Sequence, residues 1–487
     1  MLTTREFSKN PAFIGRESEK AQLAKISKTN ESSIIIVSGR RRSGKTELLE
    51  QSFRNRNVLK FEGVEGHNET YQRAMVMRQL AQYADNPLLN KIATPHWLDV
   101  FENIFTYVQE GTWTVYFEEV QWLANYKETF ISELKVAWDN QFRYNPQLIL
   151  ILCGSSPSFM LKKVIYSKSL YNRSQHEILL QPFTLLEAQE FLTQRSRREV
   201  MDAYLTLGGI PEYLKRIKTY SSLYLGICKE SFLPNSYFSQ EYQRIFVSSM
   251  SDNPHYKAVL DYLSQRRFAT REQIAEYLSV ETGGRLTELL EELQLCGFIK
   301  KYVPFHLKDN SKLARYRIND AYLQFFYKFI HPRWSDIQEG KYQSHPTKAL
   351  NLQEYQQWLG YAFERYCLND AHRIARVLGF SGVQYTAGAY YCRATAKTDP
   401  GYQIDLLFDR KDHVLTVCEI KYTQGETGAA VIEEFEKKLE QLKQFKKTKN
   451  KTLHKVLISA SGAEQALINR HYFDDIISLE ELMDYST

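Results

Sequence analysis

One stretch decides the fold of the first part of the chain: Ser32-Ser33-Ile34-Ile35-Ile36-Val37-Ser38-Gly39-Arg40-Arg41-Arg42-Ser43-Gly44-Lys45-Thr46. Its consecutive β-branched residues, Ile34 to Val37, predict a strand that is buried on both faces, as in a parallel sheet. Gly39 to Thr46 fit the pattern G-x-x-x-x-G-K-[ST], and good helix formers follow from Glu47. The sequence therefore predicts a strand, a glycine-rich turn and a helix in immediate succession.

Such a turn is suited to a polyphosphate, because glycines let the backbone curl until its N–H groups converge on phosphate oxygens. The following helix directs its positive N-terminal end at the same place. Lys45 is predicted to reach the β- and γ-phosphates, and the Thr46 hydroxyl to ligate Mg²⁺. A glycine-rich turn without a ligand is the alternative. The residues of the turn predicted to bind the nucleotide with Lys45 and Thr46 are Gly39, Arg42, Ser43 and Gly44.

A second short apolar strand, Thr114 to Phe117, ends in the acidic pair Glu118 and Glu119. A carboxylate at the carboxyl end of a strand, downstream of a phosphate loop, can hold Mg²⁺, and its neighbour can polarise the attacking water. We therefore assign Glu118 to the metal and Glu119 to the water. A solvated acidic loop is the alternative.

Two further positions are predicted to reach the γ-phosphate. The buried strand that begins at Leu148 ends in small polar residues, and Ser155 or Ser156 would sense the phosphate through a hydrogen bond, unless this is an ordinary turn. Arg173 precedes the apolar run Ile178-Leu179-Leu180, from where it could reach a neighbouring subunit's γ-phosphate in a homo-oligomer. A surface arginine is the alternative for Arg173.

The middle of the chain changes from alternating strands and helices, which predict a parallel α/β sheet, to helices alone. Thr184-x-x-Glu187 is a capping box that opens a helical stretch, which we interpret as a lid over the nucleotide. From about residue 251, helices and two extended pieces predict a winged helix. Its third helix carries acids that repel phosphate, whereas basic residues along the wing favour DNA contact; a purely structural module is the alternative. The stretch 335–350 is predicted to be a linker.

The last third combines acids and a lysine on neighbouring strands. Alternation in Leu415 to Tyr422 places Glu419 and Lys421 on one face, and Asp405 starts the strand before. Glu364, on a preceding helix, adds a third carboxylate. Two carboxylates that hold Mg²⁺ and a lysine that orients water are suited to phosphodiester hydrolysis. A hairpin with an exposed salt-bridged face is the alternative.

Composition excludes some classes of protein. The net charge of +6 is too small to argue for nucleic-acid binding, and the hydrophobic content of 43% is ordinary for a soluble globular protein. The six cysteines are scattered without a C-x-x-C pair, which indicates a reducing compartment and no zinc site. No apolar run reaches membrane-spanning length, and the N-terminus lacks a signal-peptide core. We therefore expect a cytoplasmic protein with no membrane partner.

With these landmarks the chain resembles the archaeal-type ATPase family of prokaryotes, within the signal-transducing branch of P-loop NTPases. The resemblance implies that the nucleotide is ATP and that the adenine lies near Ile14, Gly15 and Arg16. Glu118 departs from the Asp that is usual there. The C-terminal part is similar to the PD-(D/E)xK nuclease superfamily. The matching motifs are Phe13-Ile14-Gly15-Arg16-Glu17, Gly39 to Thr46, Tyr116 to Leu123, Gly208 to Leu214 and Tyr316 to Asp320, with Glu364, Asp405, Glu419 and Lys421 for the nuclease.

The predicted fold class is α/β multidomain, with a P-loop ATPase core, a helical lid, a winged helix and a restriction-endonuclease-like domain. The predicted bounds are 1–182 for the core, 183–250 for the lid, 251–334 for the winged helix, 335–350 for the linker and 351–487 for the nuclease-like domain. The leading hypothesis is an ATPase whose nucleotide state controls DNA binding and Mg²⁺-dependent DNA cleavage. The alternatives are an ATP-switched DNA-binding or signalling regulator with an inactive nuclease-like domain, and a platform for protein interactions.

Overall fold

The computed structural model describes residues 7–170, 174–249, 253–303, 314–392, 402–443 and 450–484. Arg173 lies outside these ranges. Side chains are not described for residues 174, 175, 246–249, 391, 392 and 443.

The N-terminal part is built on a parallel five-stranded sheet, as the alternation of strands and helices predicts. The strands are β1 (Ser33–Gly39), β2 (Asn57–Glu62), β3 (Trp113–Glu118), β4 (Leu148–Gly154) and β5 (Ser174–Leu180). They lie in the order β2-β3-β4-β1-β5, so β1 is an interior strand whose neighbours, β4 and β5, come much later in the chain. All residues of β1 and β4 are buried, which explains their uninterrupted apolar sequences.

Helices cover both faces of this sheet. Ile35 and Val37 of β1 pack with Leu48 on one face, and Ile34 and Ile36 pack with Phe101 on the other. The helices are α1 (Glu17–Ser27), α2 (Lys45–Phe53), α3 (Glu69–Tyr83), α4 (Trp97–Val108), α5 (Val120–Leu123), α6 (Thr129–Asn140) and α7 (Pro157–Phe159).

A helical segment follows the sheet and begins at the predicted capping box, where Thr184 and Glu187 satisfy each other's backbone N–H groups. A hydrogen bond joins the start of this segment to its middle, because the Phe183 N–H donates to the Gly209 carbonyl at 2.7 Å. A Cβ at Gly209 would lie 1.9 Å from the Phe183 oxygen, so only glycine allows this approach. The helices are α8 (Leu185–Phe191), α9 (Arg197–Leu207), α10 (Pro211–Lys218), α11 (Leu223–Phe232) and α12 (Tyr237–Ser249).

Next comes a segment that combines helices with a small antiparallel sheet in the order β6-β8-β7. We refer to residues 253–338 as the middle segment. Thr270 caps one of its helices through the predicted box with Gln273. Its elements are α13 (His255–Ser264), β6 (Ala269–Thr270), α14 (Arg271–Leu278), α15 (Gly284–Leu295), β7 (Ile299–Tyr302), β8 (Arg315–Ile318), α16 (Ala321–Phe325) and α17 (Trp334–Gln338).

The stretch 335–350 differs from the predicted open linker. It contains the end of α17 and a short 3-10 turn at Pro346–Ala349, and it buries Ile337 and Leu350 completely. Both side chains join the apolar core that the helical segment and the middle segment share. The chain therefore passes between its parts along a packed surface.

The C-terminal part has a mixed sheet in the order β13-β12-β11-β10-β9. Strand β10 is antiparallel to both of its neighbours, β9 and β11, whereas β12 and β13 run parallel to β11. Cys418 and Ile420 pack on the side of α18, and Val417 packs on the side of α20. The elements are α18 (Leu352–Asn369), α19 (Ala371–Val377), β9 (Tyr385–Cys392), β10 (Tyr402–Arg410), β11 (Val414–Lys421), α20 (Val431–Lys443), β12 (Thr452–Ser459), α21 (Gln465–Ile468), β13 (Asp475–Ser478) and α22 (Leu479–Asp484).

Within the described ranges, every helix is too short or too polar to cross a bilayer. The cysteines described there, Cys153, Cys228, Cys296, Cys367 and Cys418, are free thiols buried in the apolar cores.

Candidate functional sites: a phosphate loop and an acidic cleft

The predicted phosphate loop joins β1 to α2 and lies at the carboxyl end of β1, an interior strand of the sheet. A Cβ at Gly39 would begin 2.5 Å from the Leu180 oxygen of β5, so this position accepts only glycine. Gly44 has a φ of 91° and precedes the first residue of α2, which turns the positive end of that helix toward the loop. The local geometry is that of an anion site.

Lys45 is folded back into this loop and is only 7% exposed. Its ammonium group donates to the carbonyl oxygens of Gly39 at 2.9 Å and Arg40 at 3.0 Å. These carbonyls hold the ammonium group at the loop, and its predicted contact with the β- and γ-phosphates stays a prediction.

Glu118 and Thr46 come together as predicted, although 72 positions separate them. The Thr46 hydroxyl donates to one carboxylate oxygen of Glu118, and the Lys60 ammonium lies 2.6 Å from the other. Burial disfavours the charge on Lys60, but Glu118 and Glu50 outweigh it and raise the pKa of the ammonium. A hydroxyl and a carboxylate side by side are a donor set that fits Mg²⁺, and Lys60 was not found from the sequence.

Glu119 is the next residue, and its backbone has a φ of 55° where the chain passes from β3 into α5. One oxygen of its carboxylate accepts from the Ser155 hydroxyl at 2.6 Å, the Ser155 N–H at 3.2 Å and the Gln121 amide at 2.6 Å. The ends of β3 and β4 thus bring Glu119 and Ser155 into contact. Ser155, rather than Ser156, forms this hydrogen bond among the contacts described.

Two of the three residues predicted to lie near the base, Ile14 and Arg16, line the same cavity, whose volume is about 1180 Å³. Arg16 is buried and donates from its guanidinium to the Ser43 carbonyl at 3.0 Å, and its N–H donates to Glu187 at 2.9 Å. Gly15 has a φ of 69°, and a Cβ there would lie 2.8 Å from the same Glu187 carboxylate. Glu187 therefore joins the first turn of α8 to the backbone at Gly15 and Arg16.

Two arginines of the loop connect it to distant segments. Arg42, predicted to bind nucleotide, lines the cavity but pairs with Glu241 of α12, and its guanidinium lies 5.0 Å from the Tyr237 ring. Arg40 pairs with Asp320, which caps α16 in the middle segment. Burial alone would lower the pKa of Arg40, but Asp320 outweighs it and raises that pKa. The sequence shows three consecutive arginines, Arg40 to Arg42, but it does not indicate that two of them contact acids in distant segments.

Replacing Asp320 by asparagine is expected to destabilise the protein by about 3–5 kcal/mol, because the buried Arg40 would lose its counter-charge. Asparagine retains the helix cap, so the loss reports the ion pair. Urea unfolding of the purified variants measures this change. The double variant Arg40→Met/Asp320→Asn should recover most of the lost stability, and Glu433→Gln, at an exposed ion pair, is the control. A single variant as stable as the wild type would contradict the assignment.

A second cluster lies in the C-terminal part, where β11 carries Glu419 and Lys421 on one face as predicted. Glu419 is 1% exposed, and the Lys421 ammonium lies 3.0 Å from it. Asp405, the fourth residue of β10, is 8% exposed and accepts from the Ile420 N–H at 3.3 Å. Charge attraction to Glu419 and Glu434 outweighs the burial of Lys421 and raises its pKa. The strands thus bring the predicted acids and lysine together.

Glu364 faces the same place from α18. The Gln403 amide bridges the two acids, donating to Asp405 at 2.9 Å and to Glu364 at 3.3 Å. Burial, followed by the charges of Glu364 and Glu419, raises the pKa of Asp405 to about 7. Burial also raises the pKa of Glu364.

Lys438 of α20 is a member of this cluster that sequence reasoning missed. Its ammonium group lies 2.7 and 2.9 Å from the two oxygens of Glu419. Among the described residues, no three acidic, histidine or cysteine side chains are arranged to hold a metal ion. Asp405 and Glu419 fit a divalent cation by their chemistry, but Lys438 now neutralises the oxygens that such an ion would use. An α20 lysine has no periodic or motif signal that distinguishes it from its exposed neighbours.

We expect Asp405→Asn to have a higher midpoint of thermal unfolding than the wild type. This difference between the two proteins should be larger at pH 8 than at pH 5. Folded Asp405 retains a proton up to about pH 7, whereas the unfolded carboxyl releases it near its ordinary pKa. Folding therefore takes up a proton between these values, and the wild type loses stability as pH rises through that range. Calorimetry at both pH values measures the difference. An equal shift at pH 5 and pH 8 would contradict the raised pKa.

Comparison with known proteins agrees with the loop geometry. Residues 13–217 match the family described as an ATPase domain predominantly from Archaea. The match supports the resemblance to archaeal-type ATPases for this part, whose parallel sheet and phosphate loop form an α/β core of the P-loop ATPase type. The match to this ATPase domain ends within the helical segment and does not reach the middle segment or the acidic cleft.

Individual relatives are more distant. The uncharacterized protein MJECL04 of Methanocaldococcus jannaschii is 28% identical over 356 residues, which cover 72% of this chain and 76% of the relative. Among solved structures, the Walker-type ATPase PABY2304 of Pyrococcus abyssi has a TM-score of 0.48 at 18% identity, covering 66% of this chain and 98% of the other. The Aeropyrum pernix ORC2 protein, in ADPNP–ADP complexes, has a TM-score of 0.44 at 14% identity, covering 70% and 100%. At these TM-scores neither structure supports an argument about this chain.

Proposed function

We propose that the chain binds and hydrolyses ATP with Mg²⁺ at the phosphate loop, and that the nucleotide state controls a DNA-cleaving site in the acidic cleft. One observation carries the first part: the ends of β1, β3 and β4 bring Lys45, Thr46, Glu118 and Glu119 to a single cavity. This cavity combines an anion-binding loop, a donor set for Mg²⁺ and a carboxylate that can accept a proton.

In the proposed reaction, Lys45 leaves the loop carbonyls and pairs with the phosphates, and the loop N–H groups bind their oxygens. When bound, Mg²⁺ would neutralise phosphate charge, held by Thr46 and Glu118. Glu119 orients the attacking water and accepts its proton, and Ser155 fixes the position of that carboxylate. Ile14, Gly15 and Arg16 are proposed to enclose the adenine, and Arg173 to contact the γ-phosphate from a second subunit.

Lys45→Ala is expected to weaken ATP binding roughly tenfold or more, because a charge-assisted contact to phosphate contributes about 1.5–3 kcal/mol. Titration calorimetry with ATP and Mg²⁺ measures the affinity. Lys28→Ala, an exposed lysine at the end of α1, is the matched control and should bind like the wild type. Unchanged affinity in Lys45→Ala would contradict the assignment of the loop.

Control of one site by the other is supported by the contacts of the phosphate loop. Arg40 reaches Asp320, and the neighbouring Asn319 accepts from the Asn369 amide at 2.9 Å. Asn369 ends α18, the helix that carries Glu364. A rearrangement of the loop on ATP binding would therefore act on an element that the acidic cleft shares. These contacts form a continuous chain between the two sites. The coupling energy between the sites is measured by comparing DNA binding with and without ATP.

The proposed cleavage uses Glu419 and Asp405 as acids on neighbouring strands and Lys421 as the cation beside them. A metal held by these acids, with Glu364 as a further donor, would supply a water of lowered pKa. Lys421 would orient that water or offset the charge of the phosphate. Lys438 would have to release Glu419 before a metal could bind, so α20 is proposed to move when the site becomes active.

The contact between Lys438 and Glu419 also favours a second function, an ATP-switched DNA-binding or signalling regulator whose nuclease-like site is inactive. A permanent ammonium on Glu419 would exclude the metal and leave a cleft that only binds.

Purified full chain, incubated with plasmid and single-stranded DNA, with Mg²⁺ or Mn²⁺ and with or without ATP, separates the two functions. Cleavage that depends on metal and changes with ATP supports the nuclease. Salt-sensitive DNA affinity that changes with ATP while the DNA stays intact supports the regulator.

A further inference from the structure

The acidic cleft is larger than the three carboxylates require. It is a cavity of about 1050 Å³ between the middle segment and the C-terminal sheet. Basic side chains on its wall outnumber the acids. They come from both parts of the chain: Arg266, Arg267, Arg317 and Lys328 from the middle segment, and Arg365, Lys421 and Lys438 from the C-terminal part.

The middle segment reaches the acids directly. Arg267 is exposed, and its guanidinium donates to the Gln403 side-chain oxygen, while the amide of Gln403 donates to Asp405 and Glu364. Arg317 of β8 donates to Asn369 at 2.9 Å, at the end of the helix that carries Glu364. Guanidinium groups of the middle segment therefore form the opposite wall of the cleft.

Arg365 adds a cation between these walls. It follows Glu364 on α18, and its Nη2 atom is buried without a hydrogen-bond partner among the described residues. An unsatisfied buried guanidinium nitrogen is costly unless a ligand accepts from it. Arginines grouped around a cavity are suited to phosphate groups, which a guanidinium can bind through two parallel hydrogen bonds.

An aromatic side chain completes the wall. Tyr361 is 60% exposed and lies on α18 one turn before Glu364 and Arg365, so its ring and these two side chains share one face of the helix. Exposed aromatic rings beside a basic groove are stacking platforms for the bases of single strands. A paired base inside a duplex does not offer its face in this way.

The depth of the acids also favours a single strand. Glu419 and Asp405 are 1% and 8% exposed at the floor of the cleft, so a phosphate has to enter it to reach them. The face of α15 that carries Glu288 and Glu292 does not favour duplex binding, because these acids repel phosphate and are paired with Lys162 of the ATPase core. A flexible strand can enter where a rigid double helix would be held at the rim.

We infer that the cleft binds a single strand of nucleic acid, with its phosphates on Arg267, Arg317 and Arg365 and a base stacked on Tyr361. This inference rests on the proposed function, because it names the substrate of the acidic site. It adds that the middle segment is part of that site. The substrate is an unpaired end, gap or flap, held between the two parts of the chain.

The test is binding of labelled oligonucleotides to the full chain in EDTA, where metal-dependent cleavage cannot occur, followed by fluorescence anisotropy across a salt series. The single strand should bind at least about tenfold more tightly than the duplex of the same sequence. Arg317→Ala and Arg267→Ala should each weaken binding and lower the salt slope by about 1. Tyr361→Ala should weaken single-strand binding about fivefold or more and leave the salt slope unchanged.

Arg143→Ala and Tyr166→Ala, exposed residues on the ATPase core, are the matched controls and should bind like the wild type. An RNA strand of the same sequence decides which sugar is accepted, and tight binding of either strand supports the inference. Equal or tighter duplex binding, or unchanged affinity in the Tyr361 and Arg317 variants, would overturn it. Because no cleavage is measured, a protein that binds the single strand but never cuts it contradicts only the proposed nuclease.

Discussion

We expect Glu119→Gln to lower the rate of ATP hydrolysis about 10²–10⁴-fold and to leave the affinity for ATP close to that of the wild type. A carboxylate that accepts the proton of the attacking water contributes this factor, and an amide cannot replace it. Glutamine keeps an oxygen that accepts the hydrogen bond of Ser155, which the structure places 2.6 Å from the Glu119 carboxylate. The substitution therefore changes the chemistry of the group more than its position.

Phosphate release at saturating ATP measures the rate, and titration calorimetry measures the affinity in the same preparation. Glu102→Gln, an exposed residue on α4, is the control and should retain full turnover. Unchanged turnover in Glu119→Gln would show that another group activates the water. Loss of binding and turnover together would show that Glu119 acts on the structure of the loop instead.

Glu419→Ala is expected to abolish metal-dependent cleavage of DNA, with a loss of at least about a hundredfold, as removal of one preorganised charged group typically causes. Glu419 is the acid that both Lys421 and Lys438 contact, and it is buried at the floor of the cleft. Its loss removes the proposed metal ligand and leaves two ammonium groups without their shared partner. Lys421→Ala should lower cleavage for a different reason, because it removes the cation that faces the phosphate.

Cleavage of plasmid and single-stranded DNA with Mg²⁺ measures this effect, and the melting temperature of each variant shows whether it folds. Glu419→Gln retains the shape of the side chain and serves if the alanine variant is unstable. Glu433→Ala, an exposed acid on α20, is the control. Cleavage at the wild-type rate in Glu419→Gln would exclude this cleft as the source of the activity, and a wild type that cuts no DNA would leave the regulator as the function.

The phosphate loop and the acidic face of β11 were predictable because each lies in one short segment. A strand, a glycine turn and a helix in succession, or alternation along one strand, is a local pattern that the sequence displays directly. The approach of Thr46 to Glu118 was expected from their shared assignment to Mg²⁺, whereas the hydrogen bond between Ser155 and Glu119 was not predicted. The burial of Ile337 and Leu350 in the predicted linker could not be predicted. The local sequence has too few apolar residues to show a periodic pattern, and the partners of these two side chains lie in other segments.

The sequence by itself determined the buried strand β1, the loop that follows it and the residue types at both sites, because local periodicity and glycine conformation fix them. Only the tertiary structure decided that Arg40 of the loop meets Asp320, that Lys438 covers Glu419 and that Arg267 reaches the acidic cleft. Such contacts join residues from different elements, whose positions depend on how whole helices and sheets pack. The local sequence around each of these residues does not indicate which residue it contacts. The connection between the two sites therefore depends on the packing of the whole chain.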